Sequence, residues 1–336
     1  MTPFKFTGVG RRWNYFKHNL IEQFGEVVYK IGVDAGFDCP NRDGTKGFGG
    51  CAYCSQEGSL SPNQDPTLEI LGQVENGKAF IKRRYGAKKF IVYFQAFTNT
   101  YAPAATLRQR YALALNTKNG ELDPDLVGLS IATRPDCVNS ETIEVLQEFQ
   151  EKVPLLTLEL GLQSAHQNKL DWVNRQESVE DYVRAMEMLG RARIPVISHV
   201  ILGFPNEGLK EMEDTVRLAE ECGTDGIKLQ MLHVIKGTKL AWMYLKDPFP
   251  LMSMEEYGEV IIYLVERLAP QIQIHRITGE TEASKLVAPD WTRHKTKFFS
   301  WFENELVKRN TWQGKLSVHS SSQAPLENKK LESLSL

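Results

Sequence analysis

Short runs of β-branched and aromatic residues alternate along the chain with longer stretches whose apolar positions recur every three or four residues. The short runs predict strands at residues 27–33, 90–95, 127–133, 155–162, 196–202 and 226–233, with a weaker run at 271–277. The longer stretches predict helices near residues 67–85, 106–116, 140–149, 178–192, 209–222, 254–268 and 295–309. A strand then a helix at intervals of roughly 30 to 40 residues is the mark of parallel β/α units. Six units are too few to close an eight-stranded barrel, which leaves an open, partial barrel or a doubly wound sheet. In either, ligands bind at the C-terminal ends of the strands. Several residues of unusual chemistry stand there: a cysteine loop after the first strand, Gln95, Thr133-Arg134, Gln163 and Gly203-Phe204-Pro205.

Composition narrows the class. The chain has 336 residues, 42% apolar and 24% charged, which suits a soluble globular protein with a sizeable core. No apolar run approaches the roughly 20 residues that cross a bilayer. The opening MTPFKFTGVGRRW has no apolar stretch of the kind that heads a secretory leader, so the cytoplasm is expected. Residues 1–312 read as one unit, with N- and C-terminal elements packed on the barrel. Residues 313–336 are polar with little periodicity and are expected to be a disordered tail. A formal net charge of −2 excludes a chain-wide basic glue for nucleic acid. Local basic clusters remain: Arg11, Arg12 and Lys17; Lys82, Arg83, Arg84, Lys88 and Lys89; Arg293, Lys295 and Lys297. Each is either a solvated helix face or part of a phosphate-contacting rim.

Three of the five cysteines, Cys39, Cys51 and Cys54, lie in CPNRDGTKGFGGCAYC with the spacing Cys-x11-Cys-x2-Cys. Three thiolates can hold three irons of a [4Fe–4S] cube and leave the fourth iron open to a small ligand. Gly44, Gly47, Gly49 and Gly50 let the backbone pass close to such a group. Two other readings stay open on spacing alone. A structural zinc site needs a fourth ligand that the loop lacks, with His18 a distant candidate. A redox Cys-x2-Cys pair leaves Cys39 unexplained. Cys137 and Cys222 stand alone and read as small buried apolar residues.

The whole cysteine segment, with FQAFTNTYAP and HVILGFPNE downstream, closely resembles the Elongator-like bacterial radical S-adenosylmethionine (SAM) proteins of the YhcC/YtqA type. The resemblance runs from about residue 17 to about residue 309. The spacing departs from the commonest Cys-x3-Cys-x2-Cys and is similar to the longer loop of Elongator's catalytic subunit. The resemblance implies an α/β fold, a partial open (β/α)6 TIM-like barrel. It implies a [4Fe–4S] cluster on Cys39, Cys51 and Cys54 whose open iron chelates the amino and carboxylate groups of SAM. One electron, from a donor such as flavodoxin or ferredoxin, then cleaves the sulfonium, and the 5′-deoxyadenosyl radical abstracts a hydrogen atom. The protein orients these groups and excludes water.

The same resemblance implies roles for further residues. Tyr53 stands where the family has an aromatic residue beside the adenine; loop packing is the alternative. Gln95 stands where many members carry Gly-Gly-Glu for the methionyl amino group, and its neutral amide is a weaker acceptor than a carboxylate. Glu159 and Gln163, in LELGLQS, are expected around SAM or the substrate; for Glu159 a buried ion pair with Arg134 is the structural alternative. Arg175, in NRQES, matches an arginine used against the SAM carboxylate, unless it is a surface arginine. Gly203 and Pro205 resemble the strand-five motif beside the adenine. His199 and Lys236 are the candidates that face the substrate; a satisfied core histidine and a solvated loop lysine are the alternatives.

For substrate, the resemblance implies tRNA, with conversion of 5-carboxymethylaminomethyl-(2-thio)uridine at the wobble position to the 5-aminomethyl form, and neither DNA nor a membrane as partner. The basic clusters, with Arg12-Trp13 and the aromatics of residues 298–302, suit phosphate contact and base stacking. The chain carries no acetyltransferase half and no second cysteine set, which argues against acetyl-CoA hydrolysis and methylthiolation. A small-molecule substrate, as in radical SAM porphyrinogen oxidases, is the alternative. A non-catalytic zinc-holding RNA-binding protein is the reading from a different class.

Overall fold

The computed structural model describes residues 11–58, 65–115, 121–279 and 281–317. Its strands are β1 (Val28–Val33), β2 (Lys89–Phe94), β3 (Leu126–Thr133), β4 (Leu155–Gln163), β5 (Val196–Leu202), β6 (Gly226–Met231), β7 (Val234–Ile235), β8 (Gln273–Arg276) and β9 (Leu286–Ala288). Its helices are α1 (Phe16–Phe24), α2 (Ile70–Tyr85), α3 (Ala104–Leu115), α4 (Ser140–Gln150), α5 (Gln167–Trp172), α6 (Val179–Ala192), α7 (Leu209–Glu221), α8 (Lys239–Lys246), α9 (Met254–Arg267) and α10 (Lys295–Lys308). Seven strands form one parallel sheet in the order β1-β2-β3-β4-β5-β6-β8. The order follows the chain and the two edges do not pair, so the sheet is a curled half-barrel and not a doubly wound sheet. The weak run near residue 271 supplies the seventh strand, beside β6. The short antiparallel pair β7-β9 and helices α1, α5 and α8 add to what periodicity predicts.

The central strands are buried on both faces because helices cover one side and barrel contents the other. On the helix side, Val33, Phe94, Ile131 and Leu160 pack with Val74 of α2, Leu107 and Tyr111 of α3 and Leu146 of α4 in one continuous core. Helix starts are well specified. Asn139 caps α4, and capping boxes pair Ser178 with Asp181 at α6 and Ser253 with Glu256 at α9.

The barrel's N-terminal end is closed by α1. Leu20 packs with Val28, Ile91 and Val127 in a separate apolar cluster, flanked by Phe16, Phe24 and Leu155. The same segment covers both free sheet edges: α1 touches β1 and β8, Tyr15 bridges to Ile274, and the Phe16 ring stacks on His275 at 3.7 Å. Unpaired edges are thereby blunted without closing the barrel. Near the same end of the barrel, Gln313 is buried and donates to the carbonyls of Ala269 and Ile272, just before β8. Residues 313–317, expected in a disordered tail, are therefore packed, because one buried glutamine amide satisfies backbone that α9 leaves open. The rest of that segment lies outside the described residues. Among the described residues no helix is long and apolar enough to cross a membrane.

Leu20→Ala removes the centre of the α1 plug. It is expected to cost about 2–5 kcal/mol, read as a lower denaturation midpoint. An unchanged midpoint would show that α1 does not hold the barrel end.

Candidate active site

Cys39, Cys51 and Cys54 lie on one loop at the C-terminal end of β1, all as free thiols, the first two buried and the third half-buried. The loop is folded back on itself. The Lys46 and Gly47 amides donate to the Pro40 carbonyl, and the Gly50 amide to Asn41. Glycine is needed at Gly47, where a Cβ would stand 2.5 Å from the Asn41 side-chain oxygen. Two neighbours fasten it: Ala52 donates to Val173 and accepts from Leu240, each at 2.7 Å. Asn41, fully buried, points its amide at the Asn174 carbonyl (2.6 Å) and at Sγ of Cys51 (3.6 Å). Among the described residues no three His, Cys, Asp or Glu side chains close around a single ion.

A chain of alternating charge, buried beyond its first member Lys46, runs behind this loop and returns to it. Lys46 pairs with Asp136 (2.6 Å), Asp136 with Arg134 (2.9 Å), Arg134 with Glu177 (3.0 Å) and Glu177 with Arg175 (2.7 Å). Arg175 then donates to Sγ of Cys51 (3.7 Å), to the Tyr53 hydroxyl (3.1 Å) and to the Gly161 carbonyl (3.0 Å). Burial pushes the Glu177 carboxyl up to about 7 against the pull of Arg175 and Arg134. Burial opposes ionisation of Asp136 too, but Arg134 and Lys46 outweigh it and hold that carboxyl well below the usual range. The loop thus carries two N–H donors aimed at one cysteine sulfur. Asn41, Lys46 and Glu177 were not singled out from sequence; a buried role for Asn41 has no local signal.

The second centre is Glu159, fully buried on the concave face of β4. Five strands send a donor to its carboxylate: Lys30 of β1, Tyr93 of β2 (2.7 Å), Ser130 of β3 (2.9 Å), His199 of β5 (2.7 Å) and Lys228 of β6. Glu159 is thus in buried ion pairs, as in the structural alternative, but not with Arg134. Arg134 lies at the strand end and turns to Asp136 and Glu177, while two strand lysines reach inward to Glu159. Burial disfavours the Glu159 charge, yet Lys228 and Lys30 hold its pKa well below the usual value. Burial brings the Lys228 ammonium down to about 7 and the His199 ring down to about 4. His199 is therefore neutral near pH 7, and its hydrogen bond to a carboxylate places the proton on Nε2. Lys30 in VYKIGV and Lys228 in GIKLQM did carry a signal, a charge in mid-strand.

The radical SAM superfamily profile matches residues 42–219, and the radical SAM C-terminal domain profile matches residues 224–308. The chain belongs to the radical SAM superfamily. It is 36% identical to protein YtqA of Bacillus subtilis over 313 residues, 93% of this chain and 95% of that one. It is 33% identical to protein YhcC of Escherichia coli over 282 residues, 84% of this chain and 88% of that one. These place it in the Elongator-like branch. A segment of 165 residues is 30% identical to the tRNA uridine(34) acetyltransferase of Methanocaldococcus infernus, covering 48% of this chain and 30% of that enzyme. The solved archaeal Elp3 of the same organism, with N-terminal residues 1–46 deleted, matches the fold with a TM-score of 0.64 at 18% identity. That match covers 85% of this chain and 64% of the other, so this chain spans less than two thirds of the Elp3 structure. Radical SAM enzymes use a [4Fe–4S] cluster and SAM, and the residues here fit them: three thiols on one glycine-bearing loop, one already facing two N–H donors.

The other expected residues ring the mouth of this radical SAM barrel. Gln95 lies one residue past β2, half-buried, its backbone N–H donating to the Val33 carbonyl. Gln163 ends β4 in the left-handed region with φ 66°. Gly161 lets it lie beside Arg175, since a Cβ there would meet Gln163 Nε2 at 2.6 Å and Arg175 Nη2 at 2.7 Å. Gly203 has φ 83°, and its amide and that of Phe204 donate to Glu207, whose carboxyl burial raises to about 7. The Pro205 carbonyl accepts from Lys169 at 3.1 Å. Lys236 is exposed on the turn before α8.

Glu159→Gln leaves Lys30 and Lys228 without their counter-charge and is expected to cost about 3–5 kcal/mol of stability. Adding Lys228→Met should restore part of it; a single variant as stable as wild type would remove Glu159 from this role. For His199 the unfolded ring protonates below its ordinary 6.5 while the folded ring stays neutral to about 4. Stability is thus lost as pH falls through that window, by up to about 3 kcal/mol. His199→Gln should flatten that part of a stability–pH curve, and an equally steep curve would refute the assignment.

Proposed function

We propose that this radical SAM enzyme acts on tRNA, converting 5-carboxymethylaminomethyl-(2-thio)uridine at the wobble position to the 5-aminomethyl form. The observation that carries this reading is the segment shared with an enzyme named for tRNA uridine 34. The barrel interior supports it. Lys30 and Lys228 converge beside one carboxylate, a cationic layer that suits a base bearing a carboxylate of its own.

Cys39, Cys51 and Cys54 would hold the cluster, with Asn41 and Arg175 donating to the Cys51 sulfur. Reduced and bound, the cluster supplies the electron that cleaves SAM to the 5′-deoxyadenosyl radical. Tyr53, Gln95, Gln163, Gly203 and Pro205 would line the place of SAM. Arg175 acts as a positioning residue, because its donors are spent on Glu177, Cys51, Tyr53 and Gly161 and leave no fork for a SAM carboxylate. His199 presents a neutral ring from the charged layer around Glu159, and Lys236 meets the RNA at the rim. The electron comes from a small carrier such as flavodoxin or ferredoxin, and the cytoplasm is where such a donor and tRNA meet.

The test is 5′-deoxyadenosine release by anaerobically reconstituted protein with dithionite, without RNA and with tRNA from a strain lacking this gene. Release stimulated by that tRNA, with the wobble nucleoside changed in mass, is the expected result. Basal release without stimulation or a changed nucleoside would move the search to small molecules. Cys39→Ala, Cys51→Ala and Cys54→Ala should each reduce release to background, and a triple variant that still cleaves SAM would refute the ligand set.

A further inference from the structure

Two buried N–H groups from separate parts of the chain converge on the sulfur of Cys51. One is Nδ2 of Asn41, inside the cysteine loop, at 3.6 Å. The other is Nη1 of Arg175, on the turn between α5 and α6, at 3.7 Å. Both present a donor to the sulfur. Nδ2 of Asn41 also faces the carbonyls of Asn174 (2.6 Å) and Arg175 (3.3 Å), and carbonyls only accept, so the nitrogen of that amide points there. A guanidinium has donors only. Asn41 is fully buried and Arg175 is 6% exposed, so neither donor is shared with bulk water.

The charge behind the sulfur is ordered as well. Arg175, the member of the ion-pair path that touches Cys51, is a cation, and the carboxylates stand behind it. Glu177 sits on Nε of Arg175 at 2.7 Å, and Asp136 lies beyond Arg134. Arg134 donates to the carbonyls of Arg175 (2.9 Å) and Gln176 (3.2 Å), which fixes the backbone that carries the Arg175 guanidinium. Holding the loop in shape does not require a cation against the sulfur. Backbone hydrogen bonds do that work, from Lys46, Gly47 and Gly50 within the loop and from Ala52 to Val173. What an N–H pair and a buried positive charge add at a cluster ligand is withdrawal of electron density from the sulfur, which stabilises the cluster state with one more electron.

We propose that Asn41 and Arg175 set the reduction potential of the cluster through Cys51, with Glu177 as the counter-charge that limits how far Arg175 raises it. The step concerned is the uptake of one electron from the small carrier, which takes a [4Fe–4S] cluster from 2+ to 1+. All three act through the sulfur and are positioning residues. The proposal rests on Cys51 as a cluster ligand and is independent of whether the substrate is tRNA.

The experiment is a redox titration of the full, reconstituted protein without SAM, followed by the electron paramagnetic resonance of the reduced cluster. It is run at pH 8.5, where Glu177 is ionised, with iron and sulfide content as controls. At an effective dielectric of about 20, a unit charge within about 12 Å shifts a one-electron equilibrium about 10-fold or more. Arg175→Gln should therefore lower the ratio of reduced to oxidised cluster at fixed potential by about 10-fold, a midpoint about 59 mV lower. Glu177→Gln, which keeps the guanidinium and touches neither the loop nor the sulfur, should raise the ratio by a similar factor. Asn41→Ala should lower it about 5-fold, one hydrogen bond. Opposite signs for Arg175→Gln and Glu177→Gln are what a loosened loop does not produce. Unchanged midpoints in both, or shifts of the same sign, overturn the proposal. Where Arg175→Gln loses its iron, Glu177→Gln decides alone, and an unchanged or lowered midpoint there overturns it. An unchanged midpoint in Asn41→Ala removes Asn41 from the pair. A Cys51→Ala variant that keeps wild-type iron, sulfide and SAM cleavage overturns instead the ligand set beneath the proposal.

Discussion

The carboxylate of Glu159 is the constraint on which this barrel turns. One side chain on β4 is met from β1, β2, β3, β5 and β6, and strands that lie three apart in sheet order reach one atom pair only if the sheet curls. A buried carboxylate is costly unless its lone pairs are used, and here both oxygens accept several donors. Charge and curvature therefore demand each other: the curl makes the carboxylate tolerable, and the carboxylate ties the curl.

That layer also divides the interior. Beneath it lies the apolar plug of α1, with Leu20, Val28, Ile91 and Val127, which needs no polar partner. Above it lie Gly161, Gln163 and the cysteine loop, where backbone comes close and polar groups face a mouth. Dry floor, charged middle and open rim are what a reaction sheltered from water requires.

The cysteine loop is held by a second network of the same kind. Lys46, Asp136, Arg134, Glu177 and Arg175 form a closed path of alternating sign that leaves the loop and comes back to Cys51. With three cations to two carboxylates, it ends on a sulfur with positive charge in excess, which suits a thiolate ligand. Arg175 joins the two ends: its guanidinium reaches from Glu177 to the loop that carries the thiols.

By itself the sequence determined the strands, most of the helices and the cysteine loop. All three are local: alternation and helical period report burial of one face, and Cys-x2-Cys with glycines reports a tight turn around a shared group. It also put Gln95, Gln163 and Gly203 at strand ends, where the structure has them. It did not determine who meets whom. Lys30 and Lys228 lie 129 and 69 residues from Glu159, and Arg134 lies 41 from the carbonyl of Arg175 that it holds. Those pairings depend on curl and register across several strands, and a period of two residues specifies a face without specifying which distant side chain shares it. The place of the weakly signalled seventh strand and the α1 plug were decided the same way, by edges and an open end that exist only once the sheet has formed.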